Sequence, residues 1–111
     1  MKHSNNLFAI PARLPKEELQ ESLIPDSCVK IERIVSAGQA TPPGVWLEQD
    51  MDEWVALLQG MAVIGYEGNR SVDLEPGDWI LIPAHVKHRV ISTSGAPPCV
   101  WLAVHGKLID R

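Results

Sequence analysis

From Val29 to His105 the chain alternates short apolar runs with clusters of turn residues, and no run keeps a helical period for long. Eight runs read as strands: Val29–Ser36, Gly44–Gln49, Trp54–Gln59, Ala62–Tyr66, Ser71–Leu74, Trp79–Ile82, His88–Thr93 and Val100–His105. Between them sit Thr41-Pro42-Pro43-Gly44, Glu67-Gly68-Asn69-Arg70, Glu75-Pro76-Gly77-Asp78 and Ser94-Gly95-Ala96-Pro97-Pro98. Many short strands at regular spacing, broken by Gly and Pro, predict an all-β sandwich or barrel of the jelly-roll kind. The start of the chain differs. Pro15 stands at a first helical position, acids follow at Glu17 and Glu18, and Leu19 and Leu23 are four apart. That spacing predicts a short helix ended by Pro25, packed as a flank on the β domain. The expected division is therefore an N-terminal extension over 1–28 and a β-barrel domain over 29–111.

Composition narrows the classes. A chain of 111 residues with 45% hydrophobic content suits one folded domain. The formal charge is −4 and no basic face is visible, which argues against nucleic acid and against anionic membranes as partners. No apolar run approaches the ~20 residues that span a bilayer, and the first residues lack the apolar segment of a secretory signal. Cys28 and Cys99 lie far apart and read as buried small hydrophobes in a reducing compartment. A cytoplasmic protein is the expectation.

Two motifs carry more. Gly77-Asp78-Trp79-Ile80-Leu81-Ile82-Pro83-Ala84-His85-Val86-Lys87-His88 is a turn, a strand, a proline stop and a delivered histidine. Upstream, Glu53-Trp54-Val55-Ala56-Leu57-Leu58-Gln59-Gly60 sets a Glu six residues before a Gly. In this order and spacing they resemble the two motifs of the cupin superfamily, over roughly Val35 to His105. The resemblance implies a cupin-type jelly-roll β-barrel. It also implies a divalent metal (Zn, Fe, Ni or Mn) inside the barrel, held in the family by a His-x-His pair, the Glu and the later His. That pair is absent here. Its places fall on Trp46 and Glu48, or on Leu47 and Gln49, so only Glu53 and His88 match directly. His85 stands where the motif has a glycine, and Ser92 stands where it has an Asn.

Strand parity tests convergence, since side chains alternate faces with a period of two. If Glu53 and His88 point inward, so does Ser92, whereas Trp54 faces away. Pairing His88–Thr93 against Val100–His105, with Ser92 opposite Cys99, would bring His105 diagonal to His88. Glu53, His88 and His105 are the candidate metal ligands, and Gln49 is a weak oxygen donor beside them. The expected pocket adds Trp46, which would narrow it, Trp101 by its parity with His105, and His85 at the rim. Arg33 breaks the apolar alternation of Val29, Ile31 and Val35, and an inward arginine would need Glu53 or an anionic ligand as its partner.

Three readings stay open. One is a small-molecule-binding cupin with a metal on Glu53 and His88; another is a metal-free, non-catalytic ligand-binding or sensor module in which those two side chains bond each other; the third is a structural dimer whose barrel is closed by side chains. Whether the protein is an enzyme is undecided: no nucleophile elbow, phosphate loop or Ser/His/Asp arrangement is present. Cupins often pair through an edge strand, and outward Trp54, Ala56 and Leu58 would suit a homodimer.

Overall fold

The structure is a computed structural model that describes residues 5–25 and 28–110; His3 lies outside them. Its strands are β1 (Leu19–Pro25), β2 (Val29–Ser36), β3 (Asp52–Gln59), β4 (Ala62–Tyr66), β5 (Arg70–Leu74), β6 (Trp79–Ile82), β7 (His88–Thr93) and β8 (Cys99–Gly106). They form two antiparallel sheets, one ordered β1-β2-β8-β3-β6 and the other β5-β4-β7. The all-β expectation holds. The barrel does not close: two sheets face each other, and inward side chains of both fill the space between them.

The described residues contain no helix, which corrects the expected N-terminal flank. Leu19 and Leu23 lie in β1, an edge strand paired to β2 with Leu19 opposite Val35 and Glu21 opposite Arg33. Propensity for a helix loses here because an edge of β2 offers a full ladder of backbone partners, and Arg33 supplies an ionic one for Glu21. Of the expected strands, Gly44–Gln49 makes only a single bridge, Leu47 to His88. It still does a strand's work by covering the outer edge of β7, where Thr41 N donates to Val90 O at 2.8 Å and Leu47 N to His88 O at 2.7 Å. The expected β7–β8 hairpin does not form either. β7 pairs with β4, while β8 runs between β2 and β3, so the Ser94–Pro98 turn carries the chain from one sheet to the other.

The core lies between the sheets and is built from Val55, Leu57, Ala62, Ile64, Leu74, Cys99, Trp101 and Ala103. Cys99 is fully buried there, whereas Cys28 is exposed, against the expectation of two buried thiols. Asp52, the first residue of β3, is 1% exposed. It clamps the end of β3 by accepting from the backbone of Ala84, Leu108 and Ile109. The glycine of the first motif has a packing reason. Gly60 turns β3 into β4 at φ +90, and a Cβ there would stand 2.9 Å from the backbone Cα of Cys99. Gly77, at φ +96 in the turn between β5 and β6, faces open space instead. No helix of the described residues is long and apolar enough to cross a membrane.

Candidate functional site

A cavity of about 420 Å³ opens between the sheets. Its apolar wall is Val55, Ile64, Ile82, Val90 and Trp101, all on inward strand positions. Its polar wall gathers side chains from five strands and the segments beside them. β3 delivers Glu53, and β8 delivers His105 directly opposite it in register. β2 brings Lys30 and Glu32, while β7 brings His88 from the facing sheet. Gln49 precedes β3, and Glu18 and Gln20 come from the start of the chain.

The ionisable residues form a connected chain. His105 Nε2 lies 2.8 Å from Glu32 Oε1 and 3.6 Å from Glu53 Oε2. His88 Nε2 lies 3.9 Å from Glu53 Oε1 across the cavity, and its Nδ1 is 3.0 Å from the carbonyl of Val86. Gln49 Nε2 donates to Glu53 Oε1 at 3.0 Å, which fixes that carboxylate's rotamer. Lys30 Nζ sits 3.4 Å from Glu32 Oε2 and remains half exposed at the mouth. Glu32, Glu53, His88 and His105 are each less than 9% exposed, so each meets the others more than it meets water. Deeper, Trp101 Nε1 donates to Ser36 Oγ at 3.1 Å and that hydroxyl donates to Glu18 Oε2 at 2.7 Å. Tyr66, opposite His88 on β4, has its phenol held above its ordinary value. Burial is the main cause; Arg70 opposes it and the nearby charge of Glu53 adds to it.

Of the residues expected at the site, Gln49, Glu53, His88, His105 and Trp101 line the cavity together. Four others do not. Arg33 points to the opposite face of β2, where it binds Glu21 and donates to the carbonyls of Leu7 and Ala9, anchoring the N-terminal segment over the sheet. Ser92 is exposed beside a separate surface hollow. A register irregularity in the pairing of β4 and β7 falls between its ladder position and that of Val90. Trp46 is 39% exposed on the covering loop and does not narrow the cavity. His85 is exposed and meets Glu48 only at 3.6 Å; its φ of +68 shows that the turn keeps the backbone geometry for which the motif carries glycine.

The residues that sequence reasoning missed are Glu32 and Lys30, with Glu18 and Gln20. The apolar alternation of Ile31 and Val35 suggested that their side of β2 faced the interior. Instead that side lies under the N-terminal segment, and the polar alternation faces the cavity. The signal was there in Lys30-x-Glu32, read with the phase reversed.

A carboxylate flanked by imidazoles can hold a cation, accept hydrogen bonds or exchange a proton with a bound molecule. A metal fits these residues less well as they are placed. Among the described residues no three His, Cys, Asp or Glu side chains are grouped to hold one ion. His105 Nε2 is spent on Glu32, and Glu53 Oε1 is taken by the Gln49 amide.

Comparison with known proteins agrees with this architecture. No functionally curated protein matches the chain. Among solved structures, a protein of Ralstonia eutropha JMP134 provisionally assigned as a mannose-6-phosphate isomerase is 44% identical, with a TM-score of 0.88 over 96% of this chain and 99% of that one. A cupin superfamily protein of Desulfitobacterium hafniense DCB-2 shares 24% identity and a TM-score of 0.76, over 96% of this chain and 94% of that one. A protein of unknown function from Rhizobium leguminosarum bv. viciae 3841 gives 16% and 0.69, over 84% of each chain. The last two show a shared fold alone. Residues 33–105 match the Cupin domain family pattern, and with both motif ends, Glu53 and His88, meeting in one cavity, the chain belongs to the cupin domain family.

Proposed function

We propose that this cupin is a small-molecule-binding protein whose ligand occupies the cavity between the sheets and contacts Glu53, His88 and His105 without a metal. One observation carries the reading. Three ionisable residues, each less than 9% exposed, turn toward a space large enough for a small organic molecule. Burying such groups costs stability unless something uses them, and a fold that needed only a packed core would fill that space with aliphatic side chains.

Elemental analysis and a ligand screen on untagged protein from metal-supplemented medium test the reading together. The expected result is no stoichiometric metal and thermal stabilisation by a bound small molecule that survives chelation and is lost in Glu53→Gln. Stoichiometric metal that disappears in both Glu53→Ala and His88→Ala would replace this reading with a metal centre.

The same proposal includes a homodimer. Trp54 and Trp79 lie together on the outer face of β3 and β6, ring centroids 5.9 Å apart, and the edge strand β6 leaves Trp79 59% and Leu81 38% exposed. An apolar patch on an edge strand supports pairing of two copies there.

A further inference from the structure

Resting on the cavity as the binding site, we infer that its ligand is a small organic cation, an ammonium head carried on an apolar body, and not an anion or a phosphorylated sugar. The charge of the lining decides the sign. Glu18, Glu32, Glu48 and Glu53 face the cavity against a single lysine, Lys30. The lining is therefore −3 with both histidines neutral and still −1 with both protonated. No protonation state of His88 and His105 makes it attractive to an anion. Lys30, the one cationic side chain of that lining, is paired with Glu32 at 3.4 Å and stands half in solvent.

A second observation places the head of the ligand. Glu53 is 8% exposed, yet its Oε2 receives no hydrogen bond among the described residues. His105 Nε2 stands 3.6 Å away, beyond hydrogen-bond length, and is bonded to Glu32 Oε1 at 2.8 Å instead. A carboxylate oxygen that is reachable from the cavity and takes no hydrogen bond from the protein is an acceptor available to a bound donor. An ammonium at that point would donate to Glu53 Oε2, and its charge would be balanced by carboxylates already in place. The apolar wall, with Val55, Ile82 and Trp101 on the sheet of Glu53 and Ile64 and Val90 on the facing one, offers no polar group except the indole N–H, which is already bound to Ser36. That wall takes an aliphatic or aromatic body, with the Trp101 indole adding to the attraction for positive charge.

The isomerase assignment of the Ralstonia protein would require a dianionic phosphate, and this lining repels one. A divalent ion is the other cationic occupant, and the placement of the donors described above does not favour it.

The test uses one ring at three charges: benzylamine, benzyl alcohol and benzoate, with mannose 6-phosphate alongside, titrated calorimetrically into the full chain in buffer with chelator. Benzylamine is expected to bind at least on the order of 10-fold tighter than benzyl alcohol, and benzoate and the sugar phosphate to give no heat of binding. Glu53→Gln should bring benzylamine down to the level of benzyl alcohol, whereas Asp73→Asn, on the exposed face of β5, should leave it unchanged. If Glu53→Gln does not fold, Glu32→Gln removes one of the lining charges from β2, on the far side of β8. Benzoate or mannose 6-phosphate binding more tightly than benzylamine, and weakened in His88→Asn, overturns the cationic class and leaves the cavity standing. Failure of every probe overturns both. A response to Zn²⁺ or Mn²⁺ in chelator-free buffer with none to benzylamine also overturns the class.

Discussion

Two motif glycines with almost the same backbone dihedral separate conformational strain from crowding. Gly60 has φ +90 and Gly77 φ +96, so alanine at either is held in a region that costs an L residue roughly 1–3 kcal/mol. Alanine also stiffens the unfolded chain, which returns about 0.4–1 kcal/mol at each site. The sites differ in what the new methyl meets. At Gly77 nothing lies within 4 Å. At Gly60 the methyl meets Cys99 Sγ and Ser94 Oγ at 2.8 Å and Cys99 Cα at 2.9 Å. The Ser94 hydroxyl could swing away. The Cα belongs to the first residue of β8, which pairs with β2 on one side and precedes the β3 ladder on the other. It cannot move without shifting the sheet, so forced overlap there adds about 1–3 kcal/mol. Gly77→Ala should then lose about 1 kcal/mol and Gly60→Ala about 2–4 kcal/mol. Urea unfolding of both variants and wild type, with equal m-values as the check on two-state behaviour, gives the difference directly. Equal midpoint shifts for the two would show that the contact with Cys99 is relieved cheaply and refute the reasoning.

Three further outcomes follow from described contacts. Tyr66, the single tyrosine of the chain, should ionise above its ordinary 10.0 when followed by ultraviolet difference absorbance, and Glu53→Gln should lower its midpoint. Because the unfolded chain loses that proton first, the associated stability is intact below pH 10 and falls as pH rises through the folded value. Arg33→Met should cost about 1–2 kcal/mol, discounted because Glu21 is partly solvated, and should speed amide exchange in residues 5–12 while leaving ligand binding in place. Trp79→Glu should convert a dimer to a monomer by light scattering; a wild-type protein that is already monomeric removes the dimer from the proposal.

Local chemistry was readable in the sequence, and long-range pairing was not. The Gly-Pro punctuation placed seven of the eight strands, because turns demand particular residues wherever they occur. Parity placed Glu53 and His105 on one face of their strands, and both line the cavity. The guessed hairpin between β7 and β8 failed because antiparallel neighbours in sequence need not be neighbours in a two-sheet fold; His88 reaches the cavity from the other sheet instead. Arg33 and Glu32 exchanged roles for a related reason. Periodicity tells which residues share a face but not which face is inside, and here the N-terminal segment covers the side that would otherwise be solvent. The helix over residues 14–23 was a preference of the isolated segment, overruled by an open sheet edge whose residues a local reading cannot see.

That edge strand has a bearing on how cupins of this kind diverge. Glu18 and Gln20 stand outside the stretch that the family pattern matches, yet they wall the cavity, and Glu18 reaches its floor through Ser36 and Trp101. Two chains alike from residue 33 to residue 105 would share a scaffold and still present different chambers, according to the strand each lays against β2. Under the proposed binding role, ligand preference would then depend on residues 18–20 as well as on the stretch that defines the family.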